Sequence, residues 1–249
     1  MESSEIYSLL GQVAARLRRQ LMLLAGLLAV TTAVGYFLAD DVMHYMFKMV
    51  RQVIFISPTE AFVTKVKVAF CLGLVFSMPV AMYLAVGTIR LRTKAITARG
   101  HYCLTLLSYL LFLIGVGFCY FVVLPVGLDF LLDFATLEMQ PLLSAGRFMS
   151  FVLTCLLVFG VMFELPLLIM LFASLGVITV ETLRARRRYA ILLIFIVAGL
   201  LTPSPDAVSQ VLLAIPMLGL YELGILLARF YHKPTPLPEM PADQQQLFM

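Results

Sequence analysis

The chain alternates between long apolar stretches and short polar ones over its 249 residues. A helix needs about 20 apolar residues to cross the roughly 30 Å hydrocarbon core of a bilayer. The first four apolar stretches are long enough, whereas the fifth is short and the sixth is marginal. Their approximate bounds are Leu21–Leu38, Val66–Ile89, Cys103–Leu124, Phe151–Leu175, Tyr189–Leu201 and Val211–Ala228. The pattern predicts an all-α polytopic membrane protein with six transmembrane helices, of which the last two are short.

Composition favours an integral membrane protein over a soluble domain. Hydrophobic residues make up 62% of the chain and charged residues 13%, and the six segments leave no room for a separate globular domain. We therefore predict one six-helix transmembrane domain over residues 1–230. A flexible cytoplasmic tail, rich in Pro and Gln, follows over residues 231–249. The basic start of the chain lacks the pattern of a cleavable signal peptide.

The positions of the basic residues predict the orientation in the cytoplasmic (inner) membrane. Thirteen of the eighteen Lys and Arg residues lie on one side of the predicted spans. They are Arg16, Arg18, Arg19, Arg90, Arg92, Lys94, Arg99, Arg184, Arg186, Arg187, Arg188, Arg229 and Lys233. Because Lys and Arg accumulate in cytoplasmic loops, both termini are predicted to be cytoplasmic.

Prolines lie within or at the ends of four apolar segments, at Pro79, Pro125, Pro166 and Pro216. Proline lacks a backbone N–H and crowds the preceding helical turn, so each of these residues favours a kink. Together they predict a kinked, concave arrangement of the helices.

Glu164 is the single acid in the fourth apolar segment and lies near mid-bilayer. A charged side chain at that depth costs about 2.5–3.5 kcal/mol on insertion scales. Such a residue usually faces a partner, a cavity or a substrate path. The alternative is a protonated acid that bonds to a neighbouring helix for packing alone.

Polar residues also flank the loop TPSPDAVSQ, between the fifth and sixth segments. Thr202 and Gln210 are candidate contacts for a partner helix, because hydrogen bonds join helices within lipid. Asp206 either caps the start of the sixth helix or contributes to function.

Two further patterns concern helix ends. Ser57, Pro58 and Glu60 match a capping box at the start of the second helix, with Ser57 as the N-cap. Glu222, near the inner end of the sixth segment, either reaches the interface or pairs with Arg229 two turns further on.

The sequence contains no arrangement typical of an enzyme or a metal site. The cysteines lack metal-binding spacing and are predicted to be small core residues, and the histidines are scattered among different predicted loops. These residues are Cys71, Cys103, Cys119, Cys155, His44, His101 and His232. We predict no catalytic role, no cofactor and no nucleic-acid partner.

Four runs of the sequence together resemble the TatC family, the polytopic core of the twin-arginine protein translocase. They are SPTEAFVTKVKVAFCLGLVFSMPVAMY, GVGFCYFVVLPVGLDFL, FGVMFELPLLIMLFASLGVIT and RRRYAILLIFIVAGLLTPSPDAVSQVLLAIPMLGLYELGILLARF. The resemblance covers about residues 55–230. The FGxxFELP pattern and the TPxPDxxSQxLLAIP block are its most specific parts.

The resemblance implies a function in protein export. TatC proteins bind the signal peptides of folded export substrates and recruit the single-span partners TatA and TatB for transport driven by the proton-motive force. Glu164 matches the family's intramembrane acid, which is associated with partner contact. Thr202 and Gln210 match its polar cluster for partner helices, Asp206 its outer-loop acid and Pro79 its second-span proline. Self-association within the lipid bilayer is also expected.

The chain departs from the family pattern where the signal peptide is expected to bind. In place of His-Leu-x-Glu-Leu-Arg the sequence reads VAARLR, which keeps Leu17 and Arg18 but has Arg16 at the position of the acid. Thr97 stands about where the first cytoplasmic loop of the family has glutamate. Two arginines are bound best by carboxylates, and of the nearby cytoplasmic acids Glu5 is one that could fold back.

Three hypotheses follow. The chain is a divergent translocase subunit that still supports export, or a paralogue that keeps partner binding but has lost twin-arginine recognition. A proton-coupled solute transporter using Glu164 is the third possibility, and the absence of repeats and of a polar substrate pocket argues against it.

Overall fold

Helices follow the six apolar segments in the computed structural model, which describes residues 3–48, 53–93, 97–133, 143–202 and 207–231. The helices are α1 (Ser3–Phe47), α2 (Pro58–Thr93), α3 (Ala98–Phe118), α4 (Leu124–Asp133), α5 (Ala145–Ser174), α6 (Val180–Ala185), α7 (Arg187–Leu201) and α8 (Ala207–Tyr231). A π-helical turn, Cys119–Val123, joins α3 to α4, and two-residue strands β1 (Val53–Ile54) and β2 (Leu143–Ser144) precede α2 and α5. The predicted all-α membrane fold is confirmed. Tyr231, the first residue of the predicted tail, is the last residue of α8, and the rest of that tail lies outside the described residues.

Five helical segments within the described ranges are long and apolar enough to cross a membrane: α1, α2, α3 continued into α4, α5 and α8. The fifth predicted span corresponds to α7, whose 15 residues cover about 22 Å, so it is short as predicted. The prediction of a short sixth span is wrong, since α8 has 25 residues. It extends beyond the apolar segment at both ends because helices continue through polar residues that find partners, as Gln210 does.

The first helix is also longer than its apolar segment. It continues beyond the predicted segment Leu21–Leu38 through Asp40 and Asp41 to Phe47. Asp40 has a cationic partner on the neighbouring helix, because Lys65 Nζ lies 2.6 Å from its Oδ2. The ion pair stabilises a polar residue within the helix, so α1 can continue beyond its apolar segment.

Helix α5 forms the centre of the core. Its buried side chains include Met149, Val152 and Phe159, and it packs against α2, α3 and α8. Cys119 and Cys155 are buried as predicted, and so is Cys71, but Cys103 is exposed. Apolar composition could not separate Cys103 from the others because lipid-facing surfaces are as apolar as the core.

The prolines are accommodated in two ways. Helices α2, α5 and α8 remain helical through Pro79, Pro166 and Pro216. At Pro125 the helix widens instead, and the N–H of Leu124 donates to the Cys119 carbonyl oxygen five residues back. A proline removes one regular backbone bond, and a π-helical turn is one way to adjust the neighbouring ones. The concave arrangement stays a prediction.

The bundle has two distinct ends. At one, here called the strand end, β1 and β2 pair in parallel, with Val53 opposite Leu143 and Ile54 opposite Ser144. At the other, the basic end, α3 begins after Thr97. There α6 ends with Arg184 in its last turn, Arg186 lies between the two helices, and α7 begins with Arg187 and Arg188. The strands tie the start of α2 to the start of α5.

Candidate functional site

Glu164 is enclosed within the bundle, with only 3% of its surface exposed. Its Oε2 accepts a hydrogen bond of 2.8 Å from Ser108 Oγ on α3. Its Oε1 is buried and has no hydrogen-bond partner among the described residues. A buried carboxyl group with one oxygen unsatisfied is unusual, because such groups normally find partners. In this conformation Glu164 therefore contacts a neighbouring helix of its own chain and keeps one free oxygen.

Close packing of α3 on α5 brings Ser108 to Glu164. A Cβ atom at Gly115 would lie 2.7 Å from the Phe159 carbonyl oxygen, and one at Gly160 would lie 2.6 Å from the Phe112 ring. Only glycine fits at such distances: at Gly115 the backbones of the two helices approach closely, and at Gly160 the backbone of α5 packs against the Phe112 ring of α3. Ser108 and Gly115 lie two turns apart on α3, and Gly160 precedes Glu164 by one turn on α5. The same packing thus sets the register of the carboxyl–hydroxyl pair.

The second predicted cluster lies between α7 and α8. Gln210 Nε2 donates a hydrogen bond of 2.7 Å to the Phe195 carbonyl oxygen and lies 3.0 Å from the position of a Cβ at Gly199. Thr202 Oγ1 donates to the Gly199 carbonyl oxygen at 3.3 Å. Both side chains are half-buried and so remain partly accessible. Gln210 joins α8 to α7, whereas the Thr202 hydrogen bond stays within the C-terminal end of α7. Asp206 lies outside the described residues.

Within the described hydrogen-bond networks, Glu164 and Gln210 have different partners on different helices. The structure thus supports two polar features, the Ser108–Glu164 pair and the Thr202–Gln210 cluster, rather than one joined site.

At the basic end, Thr97 caps the start of a helix. Its Oγ1 accepts from the Gly100 N–H at 3.1 Å, which makes it the N-cap of α3. A threonine here satisfies an otherwise unpaired helix N–H but brings no charge. Arg18 is exposed on α1. The side chains of Glu5, Arg16 and Leu17 lie outside the described residues.

His101 was missed by the sequence analysis, which assigned it to a loop. It lies in the first turn of α3 and is 4% exposed. Its ring stacks on Tyr83 with centroids 4.4 Å apart, and its Nε2 donates to the Tyr83 carbonyl oxygen at 3.0 Å. The motif ARGHYC contains no signal that identifies this contact, because Tyr83 belongs to another helix. The pair joins α2 to α3 next to the loop where the signal peptide was expected to bind.

The predicted capping box at the strand end is present and does more than cap one helix. The Glu60 N–H donates to Ser57 Oγ at 3.2 Å, and α2 begins at Pro58. The Glu60 carboxylate accepts from the Ile56 N–H at 2.7 Å and from the Gly146 N–H at 2.8 Å, and it also accepts from Ser144 Oγ. One carboxylate therefore links the starts of α2 and α5.

Arg229 was one predicted partner of Glu222, and that pairing is wrong. Glu222 Oε2 lies 2.7 Å from Arg187 Nη2 at the start of α7. Arg229 stands two turns away on the same helix, whereas α7 presents Arg187 across the helix–helix interface. Beside this ion pair Tyr221 donates to the Leu183 carbonyl oxygen at 2.9 Å. These contacts attach α6 and the start of α7 to α8.

The comparisons with known proteins agree with this architecture. Residues 12–216 match the family model described as TatC, Sec-independent protein translocase protein. The chain is 34% identical over 209 residues to the Sec-independent protein translocase protein TatC of Carboxydothermus hydrogenoformans, covering 81% of this chain and 86% of that protein. It is 39% identical over 170 residues to the protein of the same name from Escherichia coli K12, covering 68% of this chain and 66% of that protein.

A solved structure gives the same result in three dimensions. The crystal structure described as the twin-arginine translocase receptor TatC superposes with a TM-score of 0.80 at 32% sequence identity. The superposition covers 88% of this chain and 98% of the crystallised one. The family match, the relatives and the shared fold lead to one conclusion: this chain belongs to the TatC family of Sec-independent protein translocase proteins.

Proposed function

We propose that this chain is the polytopic receptor subunit of a twin-arginine-type translocase, which exports folded proteins across the cytoplasmic membrane. The observation that carries the proposal is the superposition on a twin-arginine translocase receptor over 88% of this chain and 98% of the other. In this proposal both termini and the basic end face the cytoplasm. The signal peptide is then read at the basic end, and the strand end faces outward.

Partner subunits of the TatA and TatB type are proposed to bind at the two polar features. The free Oε1 of Glu164 offers a hydrogen-bonding group to a partner side chain that enters between α3 and α5. Since Glu164 is buried within the chain, that contact requires α3 to move or the partner to displace Ser108. The half-buried Thr202–Gln210 cluster requires no such opening.

For recognition of the signal peptide, the residues at the basic end support a specific expectation. Thr97 caps α3 and offers a twin-arginine peptide no charge. A guanidinium group gains most from a bidentate carboxylate. Restoring an acid by Thr97→Glu leaves a residue that still accepts hydrogen bonds near the helix start, where negative charge is favourable. We therefore expect this variant to bind a twin-arginine peptide more tightly than the native chain.

Photocrosslinking in membranes tests the receptor assignment. A signal peptide with two arginines is compared with the same peptide carrying two lysines, on the native chain and on Thr97→Glu. Selective crosslinking of the arginine peptide to the native chain, increased in Thr97→Glu, supports the proposal. Equal or absent crosslinking in both chains contradicts it and favours a paralogue that keeps partner binding without twin-arginine recognition. A Thr182→Glu variant, at another helix N-terminus of the basic end, controls for added charge.

A further inference from the structure

An open cavity at the strand end, lined by both polar and apolar side chains, has no assigned role. It has a volume of about 590 Å³ and lies between the starts of α2 and α5. Its walls include Thr59, Glu60, Lys67, Arg147 and Ser150. On this side of the predicted spans Lys and Arg are scarce, and yet two of them meet at one cavity. We propose that this cavity binds the phosphate headgroup of an anionic phospholipid.

The charges around the cavity favour an anion. Lys67 Nζ donates to Ser150 Oγ at 2.9 Å, and neither Lys67 nor Arg147 forms an ion pair with another described residue. The one acid in the wall, Glu60, accepts hydrogen bonds on both carboxylate oxygens from Ile56, Ser144 and Gly146. The Glu60 carboxylate is thus already hydrogen-bonded to these three residues, while the two cations remain available to a phosphate.

The surface next to the cavity favours a lipid over a soluble anion. Val63 lines the cavity. Val66 and Phe70 follow it at helical spacing on the same face of α2, and the three residues, with Lys67 between them, span two helical turns. These side chains are 47%, 41% and 48% exposed, in that order. In a membrane an exposed apolar strip of this kind lies against acyl chains. A phospholipid can therefore place its headgroup in the cavity and its chains along α2, an arrangement that free phosphate or an acidic peptide does not match.

The test uses the full-length protein, purified in detergent and stripped of lipid. Short-chain phosphatidylglycerol, phosphatidylcholine and glycerol 3-phosphate are each titrated against the native chain and the Lys67→Gln/Arg147→Gln double variant. We expect phosphatidylglycerol to bind the native chain more tightly than the other two ligands. Each charge removed should weaken that binding roughly fivefold, the effect of one basic residue near an anionic lipid.

Two control variants sharpen the result. Lys48→Gln removes a cation that does not line the cavity and instead lies 4.9 Å over the Tyr45 ring, so binding should be unchanged. Lys67→Arg keeps the charge and should retain binding. Equal affinity for phosphatidylglycerol and phosphatidylcholine, or no loss in the double variant, would overturn the proposal. Glycerol 3-phosphate binding as tightly as the lipid would indicate a soluble-anion site, and that result also overturns the proposal.

Discussion

At the scale of single residues, Glu164 shows what a sequence can and cannot identify. Its position as the one acid in an apolar segment was enough to select it, because a carboxyl group in a membrane is costly. Its partner Ser108 could not be selected, since serine is common in transmembrane helices and the pairing depends on how α3 packs against α5. The structure supplies that packing through Gly115 and Gly160.

Removing the partner hydroxyl should weaken the fold by a modest amount. Ser108→Ala leaves the Glu164 carboxyl group without its one described hydrogen bond. Interhelical hydrogen bonds in membrane proteins contribute about 0.6 kcal/mol on average and up to about 1.7 kcal/mol, because the unfolded chain in the membrane also finds partners. We expect a decrease in the free energy of unfolding within that range, measured by denaturation in detergent micelles.

Ser174→Ala is the matched control, because its hydroxyl bonds only to the Leu171 carbonyl oxygen in its own helix. Stability of Ser108→Ala equal to that of the native chain would show that the Ser108–Glu164 bond contributes nothing to the fold.

At the scale of helices and loops, Glu60 joins elements that are far apart in the sequence. The capping box predicted its role at the start of α2, because that motif is local. Its contacts with Ser144 and Gly146 at the start of α5 were not predictable, since they bridge more than eighty residues. Helix ends were predicted least well, because apolar length reports contact with lipid, whereas α1 and α8 continue through polar residues beyond their apolar segments.

Loss of the Glu60 carboxylate should loosen both helix starts together. In Glu60→Ala the N–H groups of Ile56 and Gly146 lose their acceptor. Ile56 precedes α2 and Gly146 lies in the first turn of α5, where an N–H has no other partner within the helix. We expect faster hydrogen exchange in both segments, 53–60 and 143–150, measured by mass spectrometry.

Asp41→Ala, at an exposed acid near the end of α1, should leave exchange in both segments unchanged. Faster exchange confined to 53–60 would contradict the proposed link, because it would mean that Glu60 only caps its own helix.

At the scale of the whole molecule, the sequence predicted the architecture because a bilayer allows few solutions. Backbone groups in lipid must be paired within the chain, so long apolar segments become helices. Which faces of those helices meet one another was not predictable, as Cys103 on the surface and Cys119 in the core demonstrate. Family membership was recognisable from four long motifs over residues 55–230, of which the most specific lie in the second half of the chain. The divergence at the basic end, with Thr97 at the expected position of an acid, stays a prediction.

Export of a folded reporter is the most direct test of the receptor assignment. The chain is expressed, with partner subunits from its own source, in bacteria that lack their own TatC protein. A fluorescent protein carrying a twin-arginine signal peptide serves as the cargo, and the same cargo with two lysines is the control. We predict that the arginine cargo reaches the periplasm folded and that the lysine cargo stays in the cytoplasm. Retention of both cargoes, while the chain is present in the membrane and bound to its partner subunits, would contradict the account.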